Sequence, residues 1–136
     1  MPRADDFPAD RLMIPISLGE LLDRISILEL KQQHVSDAAR RVNVTRELGQ
    51  LARVLEHSGR SLSDPDLQSL REVNAALWDL EDRIRLLERQ GLCSGEYACA
   101  ARDIHRLNDA RHNLKRSISV AGGSAVVEEK EYSTTL

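Results

Sequence analysis

Residues 74–88 read NAALWDLEDRIRLLE, and the fold turns on how this stretch is interpreted. Leu77, Leu80, Ile84 and Leu87 recur at the spacing of one helix face, which Leu70 and Val73 extend backwards. At about 100° per residue, Asn74, Glu81 and Glu88 fall within about 60° of the centre of that seam, between it and Trp78. A helix that turns an amide and two carboxylates toward its own apolar side needs a neighbour that presents a cation there.

Three further helices follow from working outward. The helix above starts at Pro65, with Ser63 and Asp64 as caps, because proline's missing N–H does no harm in a first turn; it ends by residue 90, before Gly91. Upstream, SLGE at 17–20 has the Ser17/Glu20 spacing of a capping box and opens a helix over 17–33. Its Leu18, Leu21, Leu22, Ile25 and Leu28 share a face with Glu29 inside the edge, while Ile27 and Leu30 point elsewhere. A helix apolar on two sides is central, or it meets a second chain. The next helix, 37–57, carries Val44, Leu48, Leu51 and Leu55 and stops at HSGRSLSDP. A last helix over 95–119 has Tyr97, Ala100, Ile104, Leu107, Leu114 and Ile118 on one face and stops at GGS, 122–124.

The expected fold is therefore all-α, a largely antiparallel four-helix bundle over 14–121. Residues 1–13 read as a flexible N-terminal extension. Residues 122–136 read as an extended C-terminal segment, flexible or docked by Val126, Val127 and Tyr132.

Composition excludes several functions. With 19 basic against 22 acidic residues, a net charge of -3 and no basic run, the footprint of a nucleic-acid binder is missing, and 3% aromatics leave little for bases to stack on. Cys93 and Cys99 form neither a CxxC pair nor part of a zinc set, and read as free thiols in a reducing compartment. No segment reaches the ~18 apolar residues of a membrane span, and MPRADDFPADRLMIPI lacks the apolar stretch of a signal peptide. A cytoplasmic protein without membrane insertion is the default expectation.

The cation demanded by the opening stretch is on the last helix. The spacing 104, 107, 111, 114, 118 puts Arg111 in the centre of an apolar face. A buried guanidinium cannot shed its charge near neutral pH, so the expected cluster pairs Arg111 with Glu81, with Glu29, Asn74, Asn108 and Lys115 nearby. Such a cluster either fixes helix register or forms a pocket in which Arg111 and Lys115 hold a carboxylate or phosphate while Glu81 or Glu29 handles protons. Asp109 and His112 have metal-ligand spacing, but no second acid-and-histidine pair completes a two-metal site, so neither a metal nor a cofactor is expected. No nucleophile elbow or phosphate loop occurs, and AGGS follows a helix rather than leading into one; no catalytic residue is identified.

The stretches SLGELLDRISILELK, VNAALWDLEDRIR, ARDIHRLNDARHNLKRSI and GGSAVVEEKEY, in that order, resemble a family of small bacterial proteins of unknown function, over Ile14 to Tyr132. Matching positions include Gly19, Glu20, Asp23, Glu29, Lys31, Asn74, Trp78, Glu81, Arg85, Asn108, Arg111, Lys115, Gly123 and Ser124. The resemblance implies a bacterial or phage origin and an all-helical domain, sometimes encoded near or joined to glycosyltransferase and surface-polysaccharide functions. It implies no established activity. Two functional classes stand open. One is a non-catalytic helical interaction module, a homodimer in which Ile27 and Leu30 or the docked tail contribute to the interface, with a protein partner in polysaccharide biosynthesis. The other is a small all-helical enzyme or anion-binding protein using the Arg111 cluster. A fully paired interior favours the first, and an open cavity with Arg111 and Lys115 unpaired favours the second.

Overall fold

A computed structural model describes residues 11–91, 95–127 and 129. Four helices account for most of them: α1 (Leu18–His34), α2 (Ala38–His57), α3 (Pro65–Arg89) and α4 (Gly95–Ala121), with no strand among the described residues. Each boundary lies within two residues of the sequence expectation, because caps set the starts: Asp37 accepts from the Arg40 N–H at 2.8 Å, and Asp64 from the Asp66 N–H at 2.9 Å.

The start of α1 is capped by Ser17, whose Oγ accepts from the Glu20 N–H at 3.1 Å, and the Glu20 side chain takes up cations. It engages Arg24 Nε at 2.8 Å and Lys115 Nζ at 2.6 Å. The remaining orphan amides are met by the far end of α4: Leu18 N–H donates to Ser124 Oγ at 3.1 Å and Gly19 N–H to Ser119 Oγ at 2.9 Å. The GGS segment that stops α4 thus also caps α1, with Gly123 at φ +69° making the turn.

Pairings between helices give the topology. Leu18 meets Ser124, Gly19 meets Ser119, and Glu20 and Asp23 meet Lys115, while Asn74 meets Arg111 and Glu88 meets Tyr97, so α4 runs antiparallel to α1 and α3. Gln32 Nε2 lies 3.3 Å from Thr45 Oγ1 across the short α1–α2 turn. α1 is the central element and packs on all three others, whereas no Cα of α2 comes within 8 Å of α3 or α4. The core is Leu21, Leu22, Ile25, Leu55, Leu67, Leu70 and Ile118. Leu22 and Ile25 are fully buried, each contributing about 1.5–3 kcal/mol relative to exposure.

A central α1 accounts for its two apolar sides. Ile27 and Leu30, half-buried, lie on the side toward α3, beside Leu77 and Trp78. The Tyr132 part of the C-terminal segment and Cys93 lie outside the described residues, as does the N-terminal extension up to residue 10. Val126 is exposed, Val127 half-buried, and Glu129 pairs with Arg116 Nη2 at 3.2 Å. Cys99 is an exposed free thiol.

Candidate functional site

Asn74 is the only one of the three inward-facing polar residues expected on α3 that the interior takes up, at 3% exposure. Its Nδ2 donates to Asp23 Oδ1 at 2.8 Å and to Ser26 Oγ at 2.6 Å, while Ser26 Oγ itself donates to the Asp23 carbonyl at 2.7 Å. Both amide hydrogens are thereby committed to α1, and Oδ1 is left to face α4. There it accepts from Arg111 Nη1 at 3.1 Å, and Asn108 Oδ1 accepts from Arg111 Nη2 at 2.8 Å. Asp23 and Ser26 are themselves buried, so one polar thread joins α1, α3 and α4 through the bundle.

Arg111 and Glu81 do not form the expected pair. Glu81 is 48% exposed and sits 3.7 Å from Arg85 Nη2, and no described carboxylate lies within ion-pair distance of Arg111. The reason is helix length. α1 ends at His34, whose ring lies 4.8 Å from the Trp78 ring, so past Trp78 α3 has lost the neighbour that would have buried Glu81. Glu88 is likewise exposed and accepts from the Tyr97 hydroxyl at 2.9 Å.

Glu29 also finds a different cation. Arg71 grips it through Nε at 3.0 Å to Oε2 and Nη2 at 3.1 Å to Oε1, and the same Nη2 donates to the Leu62 carbonyl at 2.9 Å. Lys115 is held by Glu20, with Asp23 Oδ2 at 3.6 Å. Of the six residues expected to cluster, the structure brings Asn74, Asn108 and Arg111 into direct contact, joins Lys115 to them through Asp23, and sets Glu29 and Glu81 in separate ion pairs.

The result is an arginine held in place by neutral oxygens. Guanidinium has five N–H groups; the two described contacts use one on each Nη and none on Nε. Amide oxygens orient the group without cancelling its charge. Arg111 lines two depressions. One, of about 340 Å³, is a groove between α1 and α3 walled by Ile27, Leu30, Leu77 and Trp78, with Asn74 and Arg111 in it and Lys31, Glu81 and Arg85 around it. The other, about 370 Å³, lies along α4 and is polar: His105, Asn108, Asp109, Arg111, His112 and Lys115. The Trp78 Nε1–H is buried with no acceptor among the described residues. No set of three His, Cys, Asp or Glu side chains among the described residues is placed to hold a metal ion.

Residues 12–136 match DUF6165, described as a family of unknown function. The chain belongs to that family. No curated protein and no solved structure matches it. No described helix is long and apolar enough to cross a membrane.

Asp23, Ser26 and Arg71 were the functional-site neighbours that sequence reasoning missed. The signal for the first two was present: Gly19, Asp23 and Ser26 share the side of α1 that carries Ile27 and Leu30. Once that side is known to face other helices, its polar members must meet polar partners.

Proposed function

We propose that this DUF6165 protein is an anion-binding helical module in which Arg111 receives an acidic group of the ligand. The observation that carries the reading is the ligation of Arg111 by two neutral amides, Asn74 and Asn108, at the edge of an open groove. A guanidinium partly removed from water and with no carboxylate on it among the described residues retains the attraction for an anion that an internal ion pair would have spent. Lys115, the other cation expected to bind, is occupied by Glu20, so the anion rests on Arg111 alone.

Asn108→Asp tests this reading. The substitution places a carboxylate where an amide oxygen already lies 2.8 Å from Nη2, supplying the missing counter-ion with no change of shape. Thermal unfolding of the native protein is expected to shift upward with added carboxylate or phosphate against chloride at matched ionic strength. The variant should be at least as stable without anion and lose that response. The reading fails if no such anion raises the unfolding temperature of the native chain, or if Asn108→Asp responds as fully as the native protein.

A further inference from the structure

We infer that the ligand is a small amphipathic carboxylate, its acid group on Arg111 and a compact apolar body laid along Ile27, Leu30, Leu77 and Trp78. This rests on the anion-binding reading and names the class of anion.

Two depressions share Arg111, and their walls call for different ligands. The one along α4 is built from side chains of a single helix, almost all polar, and suits a hydrated oxyanion with no apolar part. The α1–α3 groove has four large apolar side chains, of which Ile27, Leu30 and Trp78 are only half-buried by the bundle itself. A ligand covering them removes apolar surface from water, which the α4 depression offers no means of doing. At about 340 Å³ the groove stands near the lower end of small-molecule sites, roughly 300–1,000 Å³.

Charge narrows the choice further. Lys31, Arg85 and Arg111 against Glu81 leave the groove cationic, three charges to one. Arg85 already engages Glu81 and Asp82, at 3.7 and 3.3 Å, so the cation available to an acid group among the amides is Arg111. One oriented guanidinium with apolar walls matches a monoanion with a hydrocarbon body. A phosphate ion has no apolar body to cover Ile27, Leu30 and Trp78.

The test uses the full chain and a series of straight-chain acids, acetate, butyrate and hexanoate, with inorganic phosphate and neutral hexanol alongside. Trp78 is the single tryptophan, so its fluorescence and its one indole N–H resonance report directly from the groove wall. Affinity is expected to rise about fourfold per added methylene, the fold-change of ~0.8 kcal/mol each, until the groove is filled. Arg111→Met should abolish the series, hexanol should bind far more weakly than hexanoate, and Leu30→Gln should flatten the chain-length dependence while leaving acetate binding in place. Should Leu30→Gln fail to fold, the native series decides alone. If acetate binds through Arg111 but hexanoate binds no tighter, the amphipathic class is wrong and the anion-binding reading stands. Tighter binding of phosphate than of hexanoate, lost in His105→Ala/His112→Ala, also overturns it and moves the site to α4. If neither the acids nor phosphate bind the native chain, the inference falls together with the proposed function.

Discussion

Gly19→Ala sets two local rules against each other, and the structure decides which wins. Gly19 lies inside α1, where alanine is favoured over glycine by about 1 kcal/mol. A Cβ built there, however, overlaps the Lys115 carbonyl oxygen and comes within 2.8 Å of both the Lys115 carbonyl carbon and Ser119 Oγ. Two of those atoms are α4 backbone, which cannot swing aside as a side chain would. The helices must separate, at an overpacking cost of about 1–3 kcal/mol. Separation also strains the buried Gly19 N–H to Ser119 Oγ bond, whose loss costs about 1 kcal/mol. Against the propensity gain, the net is a destabilisation of about 1–3 kcal/mol. With a urea slope of roughly 2 kcal/mol/M, the unfolding midpoint should fall by about 1 M for a 2 kcal/mol loss, with an unchanged slope. Gly49→Ala on α2 is the control, since its Cβ would meet nothing within 4 Å, and it should raise stability by about 0.5–1 kcal/mol. Equal, favourable midpoints for the two variants would refute the close approach of α1 and α4.

Other substitutions probe the ion pairs. Lys115→Met leaves the buried Asp23 and the largely covered Glu20 without their shared cation and should cost about 3 kcal/mol in chemical unfolding; adding Asp23→Asn should return part of that loss, and strict additivity of the two would dissolve the proposed coupling. Asp64→Ala removes the α3 cap and its bond to Arg60, with an expected loss of about 1 kcal/mol at neutral pH. Burial pushes the Asp64 carboxyl up, but the Arg60 hydrogen bond, the Asp66 N–H, the Arg60 charge and the Leu67 N–H together hold it below the usual carboxylate value. A depressed folded value means the contribution is present above the unfolded value and lost as pH falls through the folded one. The gap in unfolding temperature between native and Asp64→Ala proteins should accordingly close below about pH 4, and a gap that widens there would contradict the assignment.

The helices were legible because their ends are written in local chemistry. Ser17, Asp37, Asp64 with Pro65, and the glycines at 91 and 122–123 each satisfy or interrupt backbone bonding within a few residues of themselves. Arg111 was legible too, since a cation centred on an apolar face must be accommodated inside. Its partners were not, because helical periodicity gives a direction around an axis and says nothing of how far a neighbouring helix extends. Glu81 points the right way, but α1 stops at His34 before it can cover Glu81. Asn74, almost two turns earlier, lies where α1 is still present and is enclosed. Arg71 escaped notice for the complementary reason: it lies well round the helix from the seam, on the side of Trp78, and only the placement of Glu29 on α1 explains why it pairs there.

Because α2 approaches only α1 closely, its backbone stays clear of the other two helices, and of its residues only Leu55, near its C-terminal end, is buried in the shared core. In hydrogen-exchange terms the molecule has two tiers. An opening that releases α2 from its N-terminal end breaks none of the bonds among Asp23, Asn74, Asn108 and Arg111, since all four belong to α1, α3 and α4. The partly opened form therefore keeps the proposed anion site, and a ligand that binds both forms equally cannot shift the balance between them. Saturating ligand should slow amide exchange in α1, α3 and α4 while leaving α2 to exchange at its own pace.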